Sequence, residues 1–323
     1  MKVGIPRAML FHHYGESWLA FLEALGVEPV VSEATTGEII TAGAVHADNE
    51  TCLPVKVFSG HLLWLKERVD AILVPRVISE SHGTCSCPKF MGLPDLARTL
   101  STDLPPVLAP RMDLGDWSYR WAREWYSVAR TLRAGRLDSA SAVAGLVTGV
   151  RKHKVRAKTN PESGDLKVGV AGHLYNVHDS RVSLGLLDRI SSMGATPLTV
   201  DQVQPHRARM HAATLSRKIF WGYESRLAGA ALHWSRTGSV SGILFVTSFA
   251  CGPGSMVGAL LEDQLGREGS VPLMTITLDE HAAEAGLVTR LEAFIDMIKR
   301  SSRSNRTMGR EGATNSVGGA GLE

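Results

Sequence analysis

G-I-L-F-V-T at 242–247, running into S-F-A-C-G-P-G-S at 248–255, decides the fold. An unbroken apolar run of strand length reads as a strand buried on both faces, the kind a parallel sheet carries. A helix-like run, Val257–Gly266, follows the cysteine loop, and Val271–Thr277 reads as the next strand. Strand, loop, helix, strand is the βαβ unit, and the same alternation extends in both directions. Upstream, the strands are Lys2–Ile5, Glu28–Val31, Val69–Val74, Pro106–Ala109, Lys167–Ala171 and Thr196–Val200. Between them fall helical patterns at Ser17–Leu25, Thr36–Thr41, Leu53–Lys66, Leu93–Leu100, Ser180–Met193 and Met210–Ser235, with Ala285–Lys299 closing the chain. The fold class is therefore α/β with mainly parallel sheets. Residues 1–112 read as an N-terminal α/β domain, 113–165 as a helical connector and 166–300 as a C-terminal α/β domain. Residues 301–323 have almost nothing to bury and read as a disordered tail.

At 323 residues, 44% hydrophobic and 21% charged, the chain has the bulk of a globular protein with room for two domains. A net charge of +3 gives no general affinity for nucleic acid or an anionic membrane. The basic run Arg151, Lys152, His153, Lys154, Arg156 and Lys158 has no aromatic accompaniment and reads as a solvated connector. No apolar stretch reaches the length of a membrane span, and the start of the chain has no signal-peptide pattern. The expected location is the cytoplasm, where thiols stay reduced and open to metals.

Cysteine is scarce: Cys52, Cys85, Cys87 and Cys251 are the whole complement. In T-C-L-P-V-K (51–56), C-S-C-P-K-F (85–90) and A-C-G-P-G-S (250–255), a Pro follows within two residues and a helical run comes after. A thiolate heading a helix is favoured by the dipole and the unpaired N–H groups there. Cys87 and Cys251 follow strands in separate halves, where open parallel sheets bind ligands, and Cys52 heads a helix that can reach the same crevice. The absence of close C-x₂-C pairs argues against a zinc ribbon. Spacing alone leaves a soft-metal or iron–sulfur site and simply buried thiols both open.

The stretches G-I-P-R-A-M-L-F (4–11), C-L-P-V-K-V-F-S-G-H (52–61), V-P-R-V-I-S (74–79), C-P-K-F-M-G-L-P-D-L (87–96), G-H-L-Y-N (172–176), S-F-A-C-G-P-G-S (248–255) and T-L-D-E-H-A-A-E-A-G-L-V-T-R-L-E-A-F (277–294) carry a family resemblance. They are similar to activase-related proteins of the 2-hydroxyacyl-CoA dehydratase family, and more distantly to dehydratase and benzoyl-CoA reductase subunits. The resemblance implies two Rossmann/flavodoxin-like three-layer α/β/α domains clasping an oxygen-sensitive 4Fe–4S cluster. Cys52, Cys87 and Cys251 fall on the family's cysteine positions, while Cys85 is a fourth ligand or a spare thiol. Implied too is a lyase-type dehydration or a reduction of a CoA thioester, driven by a low-potential electron. No Walker A pattern is present, so an ATP-hydrolysing activator would act in trans. A non-catalytic electron-transfer or cluster-bearing subunit, in a homo- or hetero-oligomer, is the alternative, and a structural zinc protein ranks below both.

Gly252 and Ser255 are placed where backbone N–H groups can bond cluster sulfides. Arg7, at the end of the first strand, is suited to a CoA phosphate or a carboxylate. His173, Asn176, Glu280 and His281 follow strands and are candidates for holding substrate or relaying protons. Asp279 reads equally as a cap for the last helix. His61 reads as a satisfied core histidine, and Trp117, Trp121 and Trp125 as a helical packing stripe.

Overall fold

The computed structural model of the protein describes residues 1–152, 166–269, 271–282 and 284–314. In the first part of the chain the strands are β1 (Lys2–Ile5), β2 (Glu28–Val31), β3 (Ala71–Leu73), β4 (Arg76–Ser79), β5 (Val107–Leu108) and β6 (Arg111–Asp113). Helices α1 (Phe11–Ala24), α2 (Gly37–His46), α3 (Leu53–Leu65) and α4 (Pro88–Leu100) alternate with them, and α5 (Ala122–Thr131) and α6 (Arg136–Lys152) follow. The second part carries β7 (Lys167–Gly172), β8 (Thr196–Thr199), β9 (Gly242–Ser248) and β10 (Leu273–Leu278). Its helices are α7 (Leu174–Val177), α8 (Leu186–Ser192), α9 (Pro205–Ala212), α10 (Gly222–Thr237), α11 (Gly252–Glu268) and α12 (Glu284–Thr314).

Two four-stranded parallel sheets result, ordered β2-β1-β3-β5 and β10-β9-β7-β8. In each, the second strand lies on one side of the first and the third on the other. The order therefore reverses between β1 and β3 in one sheet and between β7 and β9 in the other. Open parallel sheets bind ligands at the carboxyl ends of strands flanking such a reversal. All seven residues of β9 are buried, as the apolar run at 242–247 requires for a strand paired on both edges with helices over its faces. One core runs through elements of both sheets, from Val3 and Ile5 to Leu244 and Ile298, and a smaller one lies beneath α9, α10 and α11. The chain is a multi-layer α/β protein.

Helix α3 sits deep because α2 crosses it at backbone contact distance. A Cβ on Gly43 would lie 1.8 Å from the Lys56 carbonyl oxygen, and one on Gly60 would lie 1.9 Å from that of Ile39. No side chain fits there. Gly60→Ala is expected to destabilise the protein by about 1–3 kcal/mol through forced separation of the helices, seen as a lower urea midpoint at unchanged slope.

Several elements differ from the sequence expectation. The short parallel pair β4 and β6 was not expected; Arg76 and Arg111 each open a strand of three or four residues, too brief to show a period. Helix α4 begins at Pro88 instead of Leu93, since proline suits the first helical turn. The expected helix Ser180–Met193 is reduced to α8, because Leu184 and Gly185 adopt left-handed backbone (φ 53° and 70°) and break it. The tryptophan stripe is corrected: α5 starts at Ala122, so Trp117 lies outside it, exposed, with the Arg151 guanidinium 5.6 Å from its ring. Trp121 and Trp125 are buried. Helix α12 continues to Thr314, well past Lys299, because no proline or capping glycine stops it earlier. Residues 315–323 of the expected tail, and 153–165 of the connector with most of its basic run, lie outside the described residues. Among the described residues no helix is long and apolar enough to cross a membrane.

Candidate functional site

Three helices begin on a cysteine. Cys52 is the N-cap of α3, Cys87 of α4 and Cys251 of α11, each in extended or near-extended backbone with Pro in the first two helical positions. Proline gives up no bond at N1 and presets the helical φ, so each loop turns sharply and leaves the thiol at the mouth of the helix. Cys251 is further fixed by Ala250, which holds left-handed backbone (φ 59°) immediately before it.

The three thiols converge. Burial raises the pKa of all three, and neighbouring thiols add to it at two of them: Cys251 is pushed up to about 12 by burial, with Cys52 and Cys87 contributing, and Cys87 feels Cys52. None of the sulfurs makes a full capping hydrogen bond. The helix N–H groups of Val55, of Lys89 and Phe90, and of Gly254 pull the thiol pKa values down, though less than burial raises them. Two buried hydroxyls have no hydrogen-bond partner among the described residues: Thr247 Oγ1, near Cys251, and Ser86 Oγ, on the residue before Cys87. A Cβ on Gly254 would lie 3.0 Å from Cys251 Sγ and 2.4 Å from Thr247 Oγ1, so its absence opens a niche between the two. Among the described residues no three His, Cys, Asp or Glu side chains close around one point as a single ion demands.

Cys85 stands apart. It pairs with Trp221 in an isolated parallel bridge, its N–H donating to the Phe220 carbonyl (2.9 Å), and its sulfur lies 3.6 Å from that same oxygen.

Behind the thiols lies an aromatic and acidic wall. Tyr175 is buried, and its phenol is raised first by burial and then by the charges of Cys251, Glu224, Cys52 and Cys87. The His173 ring stacks between Tyr175 and Tyr223, both at 4.9 Å, with Nε2 3.3 Å from Glu224 Oε1 but not aligned for a hydrogen bond. Glu80, at the end of β4, is raised to about 8 by burial and by the neighbouring Glu224, against the pull of Arg226. None of Tyr175, Glu224 or Glu80 was singled out from the sequence. Tyr175 sits inside the G-H-L-Y-N stretch and was within reach, whereas a glutamate on the amphipathic helix α10 carries no signal.

The remaining candidates divide. Asn176 is buried, its Oδ1 accepting from Ser248 Oγ at 3.0 Å, which ties the ends of β7 and β9 together. Ser255 donates to the Cys251 carbonyl (2.9 Å) within its own helix, so its hydroxyl is engaged, and Gly252 is the first residue of that helix. Glu280 forms a short ion pair with the buried Lys56. Burial alone would raise its carboxyl; the Lys56 bond and charge outweigh this and hold it below its ordinary value. It links α3 to the end of β10. His281 is exposed, and Asp279 caps the turn at His281 (2.7 Å) instead of the helix. Arg7 donates its backbone N–H to Ser32 Oγ (2.8 Å), while its buried Nε has no hydrogen-bond partner among the described residues.

His61 is the satisfied core histidine expected. Thr35 Oγ1 donates to Asp179, so it accepts from His61 Nε2–H at 3.0 Å; His61 Nδ1 then accepts from Ser32 Oγ–H at 2.9 Å. The ring is neutral, its pKa lowered to about 3 by burial and by His12 and Arg7.

No curated protein matches the chain. Residues 2–203, more than half of it, match the family described as CoA enzyme activase uncharacterised domain (DUF2229). The stretch includes Cys52 and Cys87 with the sheet ends that carry them, and stops short of Cys251. The chain belongs to this family of activase-related CoA enzyme proteins.

Proposed function

We propose that Cys52, Cys87 and Cys251 hold a 4Fe–4S cluster in a protein related to the 2-hydroxyacyl-CoA dehydratases, a component of low-potential, electron-driven dehydration or reduction of a CoA thioester. The supporting observation is the convergence of three helix-capping thiols, drawn from both sheets, on one largely buried site. The donor set suits the group. Three soft thiols are the ligand type such a cluster takes, one thiolate to each of three irons, and the fourth iron would then stay open. Such a cluster would supply a single strongly reducing electron.

The chain's own residues set the conditions for it. Helix dipoles favour the anionic sulfurs. The Thr247 hydroxyl near Cys251 is a donor in want of an acceptor, which a bridging sulfide would supply. Burial keeps water from the site, and the nearby Glu224 carboxylate keeps an added electron costly. The electron would come from a separate ATP-hydrolysing activator.

Anaerobic purification followed by iron and acid-labile sulfide analysis, with EPR of the dithionite-reduced protein, tests this reading. About four irons and four sulfides per chain are expected, with a signal that changes when an acyl-CoA is added. Iron-free protein would refute it. Iron with no response to acyl-CoA would make the chain an electron carrier serving a partner enzyme.

A further inference from the structure

Helix α10 brings two carboxyl groups together behind the thiols. Its start is stitched to the turn after β4: the Cys85 N–H donates to the Phe220 carbonyl (2.9 Å), and the Gly222 N–H donates to the Cys85 carbonyl (3.1 Å). A Cβ on Gly222 would lie 2.8 Å from Thr84 Oγ1, so helix and turn meet without a gap. Glu80 opens that turn, and Glu224 stands in the first turn of the helix. Glu80 is half-buried, with His82 and Gly83 beyond it exposed, whereas Glu224 is buried. Solvent reaches one acid and not the other.

From Glu224 the polar contact continues inward. His173 Nε2 lies 3.3 Å from Glu224 Oε1, and both side chains are buried. The imidazole is clamped between the rings of Tyr223 and Tyr175. The Tyr223 hydroxyl accepts from the Leu174 N–H (3.3 Å), which fixes the helix to the end of β7. Tyr175 stands against Phe90, 5.9 Å between ring centroids, in the first turn of the helix that Cys87 caps. It also shares a small internal space with Pro54, in the first turn of the helix that Cys52 caps. The order from solvent to thiols is Glu80, Glu224, His173.

Two acids placed this close repel each other, a cost that a purely structural pair has no reason to carry. Glu80 keeps its proton at pH 7, raised to about 8 by burial and by Glu224. Arg226, on the same helix, lowers it but is shared with Asp201 (3.7 Å). Tyr14 of α1 and Tyr223 also feel Glu80; both phenols stay protonated, raised well above their ordinary value chiefly by burial. The pair thus holds a movable proton beside a carboxylate able to take it.

We propose that Glu80, Glu224 and His173 form a proton relay that brings one proton from solvent to the thiol site for each electron the site receives. This rests on the cluster reading above and deepens it. The Glu80 O–H bond breaks as one forms on the Glu224 carboxylate; Glu224 passes its proton to His173 Nε2, and solvent refills Glu80. The activator supplies the electron, so the charge added inside a buried site is matched by a proton.

Potentiometric titration of the anaerobically purified full chain, followed by EPR from pH 6 to 8.5, tests the relay. The reduced site holds one more proton, so its midpoint potential is expected to fall as pH rises. His173→Gln, which removes the final acceptor, should flatten that dependence at full iron content. Glu80→Gln and Glu224→Gln should keep the dependence, which the path does not set, but slow proton uptake. An indicator dye read during electrochemical reduction should show uptake slowed on the order of 10²-fold, the usual contribution of a positioned acid or base. Glu80→Asp should recover part of the rate. A potential independent of pH in iron-loaded wild-type protein, or wild-type uptake rates in both glutamine variants, overturns the relay and leaves the cluster standing. Iron-free protein removes both.

Discussion

Cys52→Ser, Cys87→Ser and Cys251→Ser are each expected to reduce iron in anaerobically purified protein to a small fraction of the wild-type content, while Cys85→Ser leaves it unchanged. Serine keeps the size of the side chain but supplies a hard, weakly acidic hydroxyl where a soft thiolate is needed. The contrast with Cys85 rests on position: it lies in a bridge to Trp221, caps no helix, and its sulfur faces the Phe220 carbonyl. Iron loading should also depend on pH. The three capping thiols are raised above their ordinary value, Cys251 to about 12, so each enters the site protonated and must release its proton to bind iron. Reconstitution is therefore expected to improve steadily from pH 7 to 9, and proton release, measured in weak buffer, should accompany it. Iron content measured by a colorimetric chelator across the four variants checks the first part. Full loading of Cys251→Ser would remove this cysteine from the site.

The reading of the sequence reached the thiols and missed their surroundings, for a definite physical reason. Capping positions are local: Cys, Pro and a helical run within six residues announce the N-terminus of a helix. The run at 242–247 likewise announced β9, because burial on both faces leaves an apolar stretch with no polar interruption. Glu80, Glu224 and Tyr223 are brought together by strands and helices far apart in sequence, and each alone looks like an ordinary residue of its element. The same holds for Lys56. It sits in an apolar helix, and its partner Glu280 lies in the opposite half, so the pair that closes α3 against β10 became visible only in three dimensions. The strand-end position of Glu280 suggests a substrate ligand, whereas in the fold it is paired with Lys56. Breaks such as Leu184–Gly185 escape for another reason, since a left-handed residue with a side chain leaves no compositional mark.

Thermal stability of the iron-free chain is expected to peak near pH 6.5 and to fall on both sides, with Glu80 responsible for the alkaline limb. The ordinary value for Glu80 is 4.5, and its folded value is about 8. Between these the native state keeps a proton that the unfolded chain has released, so stability drops as pH rises and levels off above 8. His12 and His61 act in the opposite sense. Their ordinary value of 6.5 falls to about 4 and about 3 in the folded state, mainly through burial. Below pH 6.5 the unfolded chain binds protons that the native state refuses, so stability drops as pH falls. From 4.5 to 6.5 two imidazoles oppose one carboxyl and prevail; above 6.5 the imidazoles contribute no further slope and Glu80 is left. The gap between 4.5 and 8 corresponds to on the order of a few kcal/mol, reduced by solvent at this half-buried carboxyl. Glu80→Gln, which keeps the shape and removes the charge, should flatten the limb between pH 6.5 and 8 and raise the melting temperature at pH 8, with little change at pH 4.5. Calorimetric scans of both proteins at half-unit pH intervals measure this. A wild-type melting temperature that is constant or rising from 6.5 to 8 would show that Glu80 is ionised in the folded protein, with Arg226 outweighing Glu224 beside it.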